Sequence, residues 1–201
     1  MARSSKQWLR RHVNDPYVRK AREQGYRSRA AYKLIQINEK EKLLRPGAVV
    51  VDLGAAPGGW SQVAAAAVGR KGTLIAVDLL ELAPISGVRV LRGDFRDQDL
   101  LAALPGGKAD VVLSDLSPNL SGIPNVDQAR SAELVQAALD FCRSALKPDG
   151  VFVTKAFHGE AFEEVSKAVR SLFRDVKVSK PSASRGESSE TYLVARNLRP
   201  L

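Results

Sequence analysis

The segment DLGAAPGGW, from Asp52 to Trp60, joins the apolar run AVVVDL to a stretch of small residues. Gly54, Pro57, Gly58 and Gly59 lie inside it. Glycines let the backbone approach a bound molecule and leave the free N–H groups of a helix start pointing at it. The spacing matches neither GxGxxG nor a phosphate-binding loop ending in GK[ST]. A glycine-rich turn alone is a common structural device. Asp52, Asp78 and Asp94 strengthen the functional reading, because they stand at the ends of three successive apolar runs, where ligands collect in open α/β sheets. Asp78, about 20 residues beyond the glycines, is placed to accept hydrogen bonds from both ribose hydroxyls of an adenosine. Asp94, in the tripeptide GDF, is expected on the adenine side, and Asp52 is placed for an amino-acid ammonium, directly or through water. Trp60 has two balanced readings: packing on the ligand, or stapling its helix to the rest of the fold.

The elements that must hold these residues follow from hydrophobic patterning. Strands are expected at 48–53, 73–79, 88–93, 110–116, 150–157, 174–180 and 191–197. Helical stretches start near Trp60, Phe95 and Asp127, with another after Gly159, whereas the connection around Pro84 is too short for a full helix. The alternation predicts one α/β domain with a mostly parallel sheet covered by helices on both faces. The last two strands are separated by PSASRGESSE, a loop composition, so they form a hairpin, antiparallel at least in part. The chain is expected to be a single domain over 1–201, with 1–41 a basic, largely helical appendage in which Ser28 caps RAAYKLIQINEKEKLL.

Four further segments stand out: SRAAYKL around Lys33, SDLSPNLSG around Asp115, VTKAFHGE around Lys155 and SSETYLVAR around Glu190. Together with DLGAAPGGW and GDFRD, in this order and spacing, they make the sequence resemble the FtsJ family of RNA ribose 2′-O-methyltransferases over nearly its whole length. The resemblance implies a Rossmann-like class I fold with a seven-stranded sheet, and S-adenosylmethionine (SAM) as cofactor, with Asp115 also beside it. It implies a catalytic tetrad of Lys33, Asp115, Lys155 and Glu190, and a uridine 2′-hydroxyl in 23S rRNA of the large ribosomal subunit as substrate. The residue types suit that chemistry. A ribose hydroxyl is a poor nucleophile until it is aligned and relieved of its proton. Burial and a second cation, Lys33, would free Lys155 to act as base, while Asp115 and Glu190 favour its charged, orienting form. His158, where the family commonly has Gln, is read as a neighbouring polar residue, and His12 is given no role.

Charge points the same way. Lys and Arg number 31 against 22 Asp and Glu, a formal net charge of +9, as a polyanion binder requires. Arg3, Lys6, Arg10, Arg11, Arg19, Lys20, Arg22, Arg27, Arg29 and Lys33 crowd the N-terminal segment, which reads as a phosphate-contacting face. Tyr17, Tyr26 and Tyr32 lie among them and either stack on nucleotides or pack against the domain. Cys142 has no partner for a disulfide and reads as a buried small hydrophobe; no Cys/His cluster has zinc-ligand spacing, so no metal is expected. Without an apolar run of membrane-spanning length, the expectation is a cytoplasmic protein, monomeric by default, with no membrane partner. The competing readings are a 2′-O-methyltransferase acting on tRNA or another RNA, and a noncatalytic SAM-binding ribosome assembly factor.

Overall fold

The computed structural model describes residues 15–97, 99–119, 121–185 and 188–200. Arg3, Lys6, Arg10, Arg11 and His12 therefore lie outside the described residues. The elements are α1 (Pro16–Glu23), α2 (Ala31–Glu41), β1 (Val49–Leu53), α3 (Gly59–Val68), β2 (Thr73–Asp78), β3 (Val88–Arg92), α4 (Leu100–Ala103), β4 (Ala109–Ser114), α5 (Pro124–Ala145), β5 (Leu146–Phe157), α6 (Phe162–Leu172), β6 (Phe173–Ser179) and β7 (Glu190–Leu198).

The strands form a seven-stranded sheet in the order β3-β2-β1-β4-β5-β7-β6. The first five pair in parallel, whereas β7 runs antiparallel to both β5 and β6. The expected mixed sheet with a C-terminal antiparallel hairpin is therefore present, and β7 is inserted between β5 and β6 rather than added at the edge. Its inner strands are apolar at nearly every position because helices cover both faces, so successive residues each meet a core. Val50, Leu113, Val153 and Tyr192 pack beneath α2 and α3 with Leu34, Ile37 and Val63. Their neighbours Val51, Val112, Phe152 and Leu193 pack beneath α5 and α6 with Leu139, Cys142 and Val169.

Helix α2 forms part of the first of these layers, since Ala31, Leu34 and Ile37 have no exposed surface. Removing a Leu or Ile side chain from water stabilises by about 1.5–3 kcal/mol, enough to fix the helix, and Lys33 with it, against the sheet. Cys142 is fully buried on the opposite face, and burial pushes its thiol well above the ordinary range, so it packs as an apolar group.

Two local expectations are corrected. Ser28 does not cap α2: the N-cap is Ala30, without a side-chain hydrogen bond, and the buried Ser28 hydroxyl has no partner among the described residues. The chain at Ser28 lies on the glycine loop, so close that a Cβ on Gly59 would sit 2.5 Å from Ser28 Oγ. The helix expected near Phe95 shrinks to the four residues of α4, which Asp99 caps and which gives way at Pro105 and Gly106 to a single 3₁₀ turn. The helix expected near Asp127 is present from Pro124, with Asp127 in its first turn accepting hydrogen bonds from the backbone of Ser121 and Gly122. Among the described residues, no helix is long and apolar enough to cross a membrane.

Candidate active site

The carboxyl ends of β1, β2, β3 and β4 open into a cleft of about 360 Å³, within the size range of small-ligand sites. Its walls include Gly54, Ala56, Asp78, Leu79, Asp94 and Asp115. A larger groove of about 520 Å³ lies between α5 and α6, but it has neither the glycine loop nor the strand-end acids. The cleft at the strand ends is therefore the candidate site.

Local geometry explains why this turn is rich in glycine. Gly54 has a φ of +74°, and a Cβ there would stand 2.7 Å from Leu116 Cδ2. Gly58 has a φ of +110° and directly precedes α3. Both positions combine left-handed backbone with close contact, which only glycine tolerates without strain. The two carboxylate oxygens of Asp78 accept the N–H groups of Ala56 and Leu80, each at 2.8 Å. One side chain thus joins the turns after β1 and β2, and lone pairs remain for a ligand's hydroxyls. Asp94 is turned toward Arg96, whose side-chain hydrogen bonds hold its carboxyl below the usual range.

Asp52 lies at 0% exposure beneath the cleft. Ser61 Oγ donates to its Oδ2 at 2.6 Å, while Oδ1 is buried without a partner among the described residues. Burial pushes its pKa up to about 7; the Ser61 hydrogen bond opposes the rise, and the charges of Asp115 and Asp78 add to it. The unpartnered oxygen and the three converging carboxylates fit a ligand carrying positive charge.

The raised Asp52 pKa has a consequence for stability. Between its ordinary value and about 7, the folded protein binds a proton that the unfolded chain has released, so this group's contribution is lost as pH rises through about 7. Asp52→Asn keeps an acceptor for Ser61 but cannot ionise. The variant is expected to gain in melting temperature over the parent as pH rises from 5 to 8, with the gain levelling off above about 7. A difference independent of pH would rule out the buried ionisation.

Beside the cleft, four charged side chains meet from four elements. Lys33 comes from α2, Asp115 follows β4, Lys155 lies in β5 and Glu190 opens β7. Lys33 Nζ is 2.6 Å from Glu190 Oε1, and Lys155 Nζ is 3.3 Å from Asp115 Oδ1. Lys155 also donates to the Asp115 carbonyl at 3.0 Å. Burial alone would raise the Glu190 pKa, but the charge and hydrogen bond of Lys33, together with Lys155 and Ser184, hold it below the usual range. The resemblance to known sequences thus selected four residues that the fold brings together, although the first and last are 157 positions apart in the chain.

Tyr192 is the central residue that the sequence reading passed over. Its hydroxyl lies 2.9 Å from Asp115 Oδ1 and 3.2 Å from Glu190 Oε1, between the two ion pairs. Burial first, then the two neighbouring carboxylates, push its pKa well above the ordinary value. It stays a neutral phenol, whose single proton can serve one carboxylate or be shared between both. Only part of the signal was available: side chains alternate along a strand, so Glu190 and Tyr192 share one face of β7, but the pairing of Tyr192 with Lys155 across the ladder is set by the fold.

Other named residues are placed as follows. Trp60 donates from Nε1 to the Ala30 carbonyl at 2.9 Å, with its ring 5.5 Å from that of Tyr192. Gly58, Gly59, Pro57, Trp60 and Asp52 are not among the cleft-lining residues, which begin at Gly54 and Ala56 on this turn. Tyr17, Tyr26 and Tyr32 pack on one another, with centroids 5.4 and 5.6 Å from the Tyr32 ring. Tyr32 is buried, and its hydroxyl donates to Gln24. Arg19, Lys20 and Arg22 are exposed on α1, whereas Arg29 is half-buried and paired with Asp15 at 3.0 Å. His158 is exposed, with its ring tilted against that of Phe162 and their centroids 4.4 Å apart.

Comparison with known proteins extends this picture. Residues 26–198 match the model of a family described as FtsJ-like methyltransferase. The chain is 52% identical to the ribosomal RNA large subunit methyltransferase E of Marinobacter nauticus over 98% of both chains. It is equally similar, at 52% over 98% of both, to the protein of the same name from an Azoarcus species. Among solved structures, it matches a Plasmodium falciparum protein described as a ribosomal RNA methyltransferase, with a TM-score of 0.75 and 29% identity, over 86% of this chain and 98% of that one. Aeropyrum pernix fibrillarin in complex with S-adenosyl-L-methionine shares the fold, with a TM-score of 0.59 and 16% identity over 85% of this chain and 75% of that one.

Proposed function

Because the chain belongs to the FtsJ-like methyltransferase family, we propose that it transfers the methyl group of SAM to a uridine 2′-hydroxyl in 23S rRNA of the large ribosomal subunit. The observation that carries this reading is the meeting of Lys33, Asp115, Lys155 and Glu190 beside the strand-end cleft, with Asp115 common to both. When bound, SAM supplies a methyl group activated by sulfonium. Asp78 would hold its ribose hydroxyls, Gly54 and the turn to Gly59 would admit it closely, and Asp52 and Asp115 would face its positive charge. Asp94 would meet the adenine side.

The protein's side chains then act on the nucleotide. Asp115 and its own carbonyl fix the Lys155 ammonium in one place, from which it aligns the 2′-oxygen for in-line attack on the methyl carbon. In its deprotonated form the same nitrogen accepts the hydroxyl proton. Glu190 fixes Lys33 on the other side, and Tyr192 ties the two carboxylates together. The surrounding low-polarity packing strengthens each of these interactions.

The ribosomal substrate is supported by the relatives' names and by the exposed cations of α1. The working unit in this reading is one methyltransferase domain, a cytoplasmic monomer, whose N-terminal segment over 1–41 contacts RNA. A labelled methyl-transfer assay on intact large subunits, free ribosomal RNA and tRNA, followed by nucleotide mapping, tests it. Incorporation at a single uridine ribose of the large-subunit RNA is expected. Methylation of tRNA alone would replace the substrate, and tight SAM binding without any incorporation would leave an assembly factor.

A further inference from the structure

Arg27 belongs by sequence to the basic N-terminal block, yet its guanidinium points at protein carbonyls. Nη1 donates to Pro57 O at 3.3 Å and to Ala83 O at 2.7 Å, and Nη2 donates to Pro84 O at 2.7 Å. These carbonyls lie in the glycine turn after β1 and in the connection after β2, the two segments that flank the cleft at Ala56 and at Leu79 and Leu80. The backbone around Arg27 is itself fixed to α3. Gln62 accepts from Arg27 N at 2.8 Å and donates to Gly25 O at 3.0 Å. A Cβ on Gly58 would lie 3.0 Å from Arg27 Nη1 and 2.8 Å from Ile85 Cδ1. Side chain, glycine turn and second connection are therefore in direct contact.

We propose that Arg27 is a positioning residue for the cofactor: it locks the 57 and 83–84 carbonyls together so that the cleft is formed before SAM enters. The planar guanidinium is suited to this, because it presents donors in a fixed fork to several acceptors at once, which a lysine ammonium cannot reproduce. The same segment continues into α2, but the carbonyls that Arg27 holds all lie on the cofactor side. The inference rests on the reading that SAM occupies this cleft.

Calorimetric titration of SAM into the parent protein, Arg27→Ala and Arg27→Lys tests the assignment, alongside the salt dependence of 23S rRNA affinity for each. Hydrogen bonds from a charged donor are each worth about tenfold or more in an equilibrium. SAM affinity is expected to fall about tenfold in both variants. KM for SAM should rise while kcat at saturating SAM stays within about twofold, and the salt slope of RNA binding should not change. Melting curves without ligand confirm that each variant is folded, and Arg27→Lys keeps the stem and charge should the alanine variant unfold. Parent-like SAM affinity in Arg27→Ala overturns the proposal, as does a salt slope shallower by about one unit, the mark of a lost phosphate contact. If the parent protein itself fails to bind SAM, the cofactor reading fails, and this inference with it.

Discussion

Lys155→Ala is expected to lower methyl transfer by about 10³-fold or more while leaving SAM affinity within about twofold. General acid–base assistance and alignment together account for a loss of this size. Binding is spared because Lys155 does not line the cofactor cleft, whereas its partner Asp115 does, and Tyr192 still donates to that carboxylate in the variant. Single-turnover assays with saturating SAM measure the loss, and calorimetry measures binding. Parent-like turnover in Lys155→Ala would remove this residue from the chemistry.

Leu34→Ala is expected to destabilise the protein by about 2–5 kcal/mol, the usual cost of truncating a fully buried leucine. For a chain of this length each kcal/mol lowers the melting temperature by about 2–4 °C. Leu34 has no exposed surface and packs with Val50, Leu113 and Val153 beneath α2. Its neighbour Lys33 depends on that packing, so activity should fall at temperatures where the parent is still fully active. Thermal melts with Arg22→Ala, in an exposed position on α1, provide the contrast and should show almost no shift. Equal melting temperatures for Leu34→Ala and the parent would mean that α2 contributes nothing to the core.

The parts of this molecule that were legible in the sequence are those whose signal is local. AVVVDL followed by glycines announces a strand, a tight turn and a helix start, and acids closing successive apolar runs mark the edge of the sheet where the cleft opens. PSASRGESSE lacks any helical period, so the hairpin followed from composition. What was hidden depends on distant partners. Arg27 looks like any cation in a basic block, because nothing near it in sequence reveals that its acceptors are Pro57, Ala83 and Pro84. Ser28 has the right residue type for a cap, but its place against Gly59 prevails over local preference. Tyr192 looked like one more apolar strand residue until the register set it opposite Lys155.

The position of β7 bears on how the molecule comes into being. Neighbours in the sheet flank it on both sides, β5 and β6, and among the described residues β6 pairs with no other strand. Translation delivers the elements of the cofactor cleft first, from β1 to β4, and the strand bearing Glu190 and Tyr192 last. A nascent chain can thus assemble a nucleoside-sized hollow while two members of its polar cluster are still unmade. The final strand must join the open edge of β5 and bring β6 into the sheet with it, in pairings that are non-local with β5 and of the kind that folds slowly. A chain that stops short of β7 therefore carries the residues of the cleft but lacks Glu190 and Tyr192.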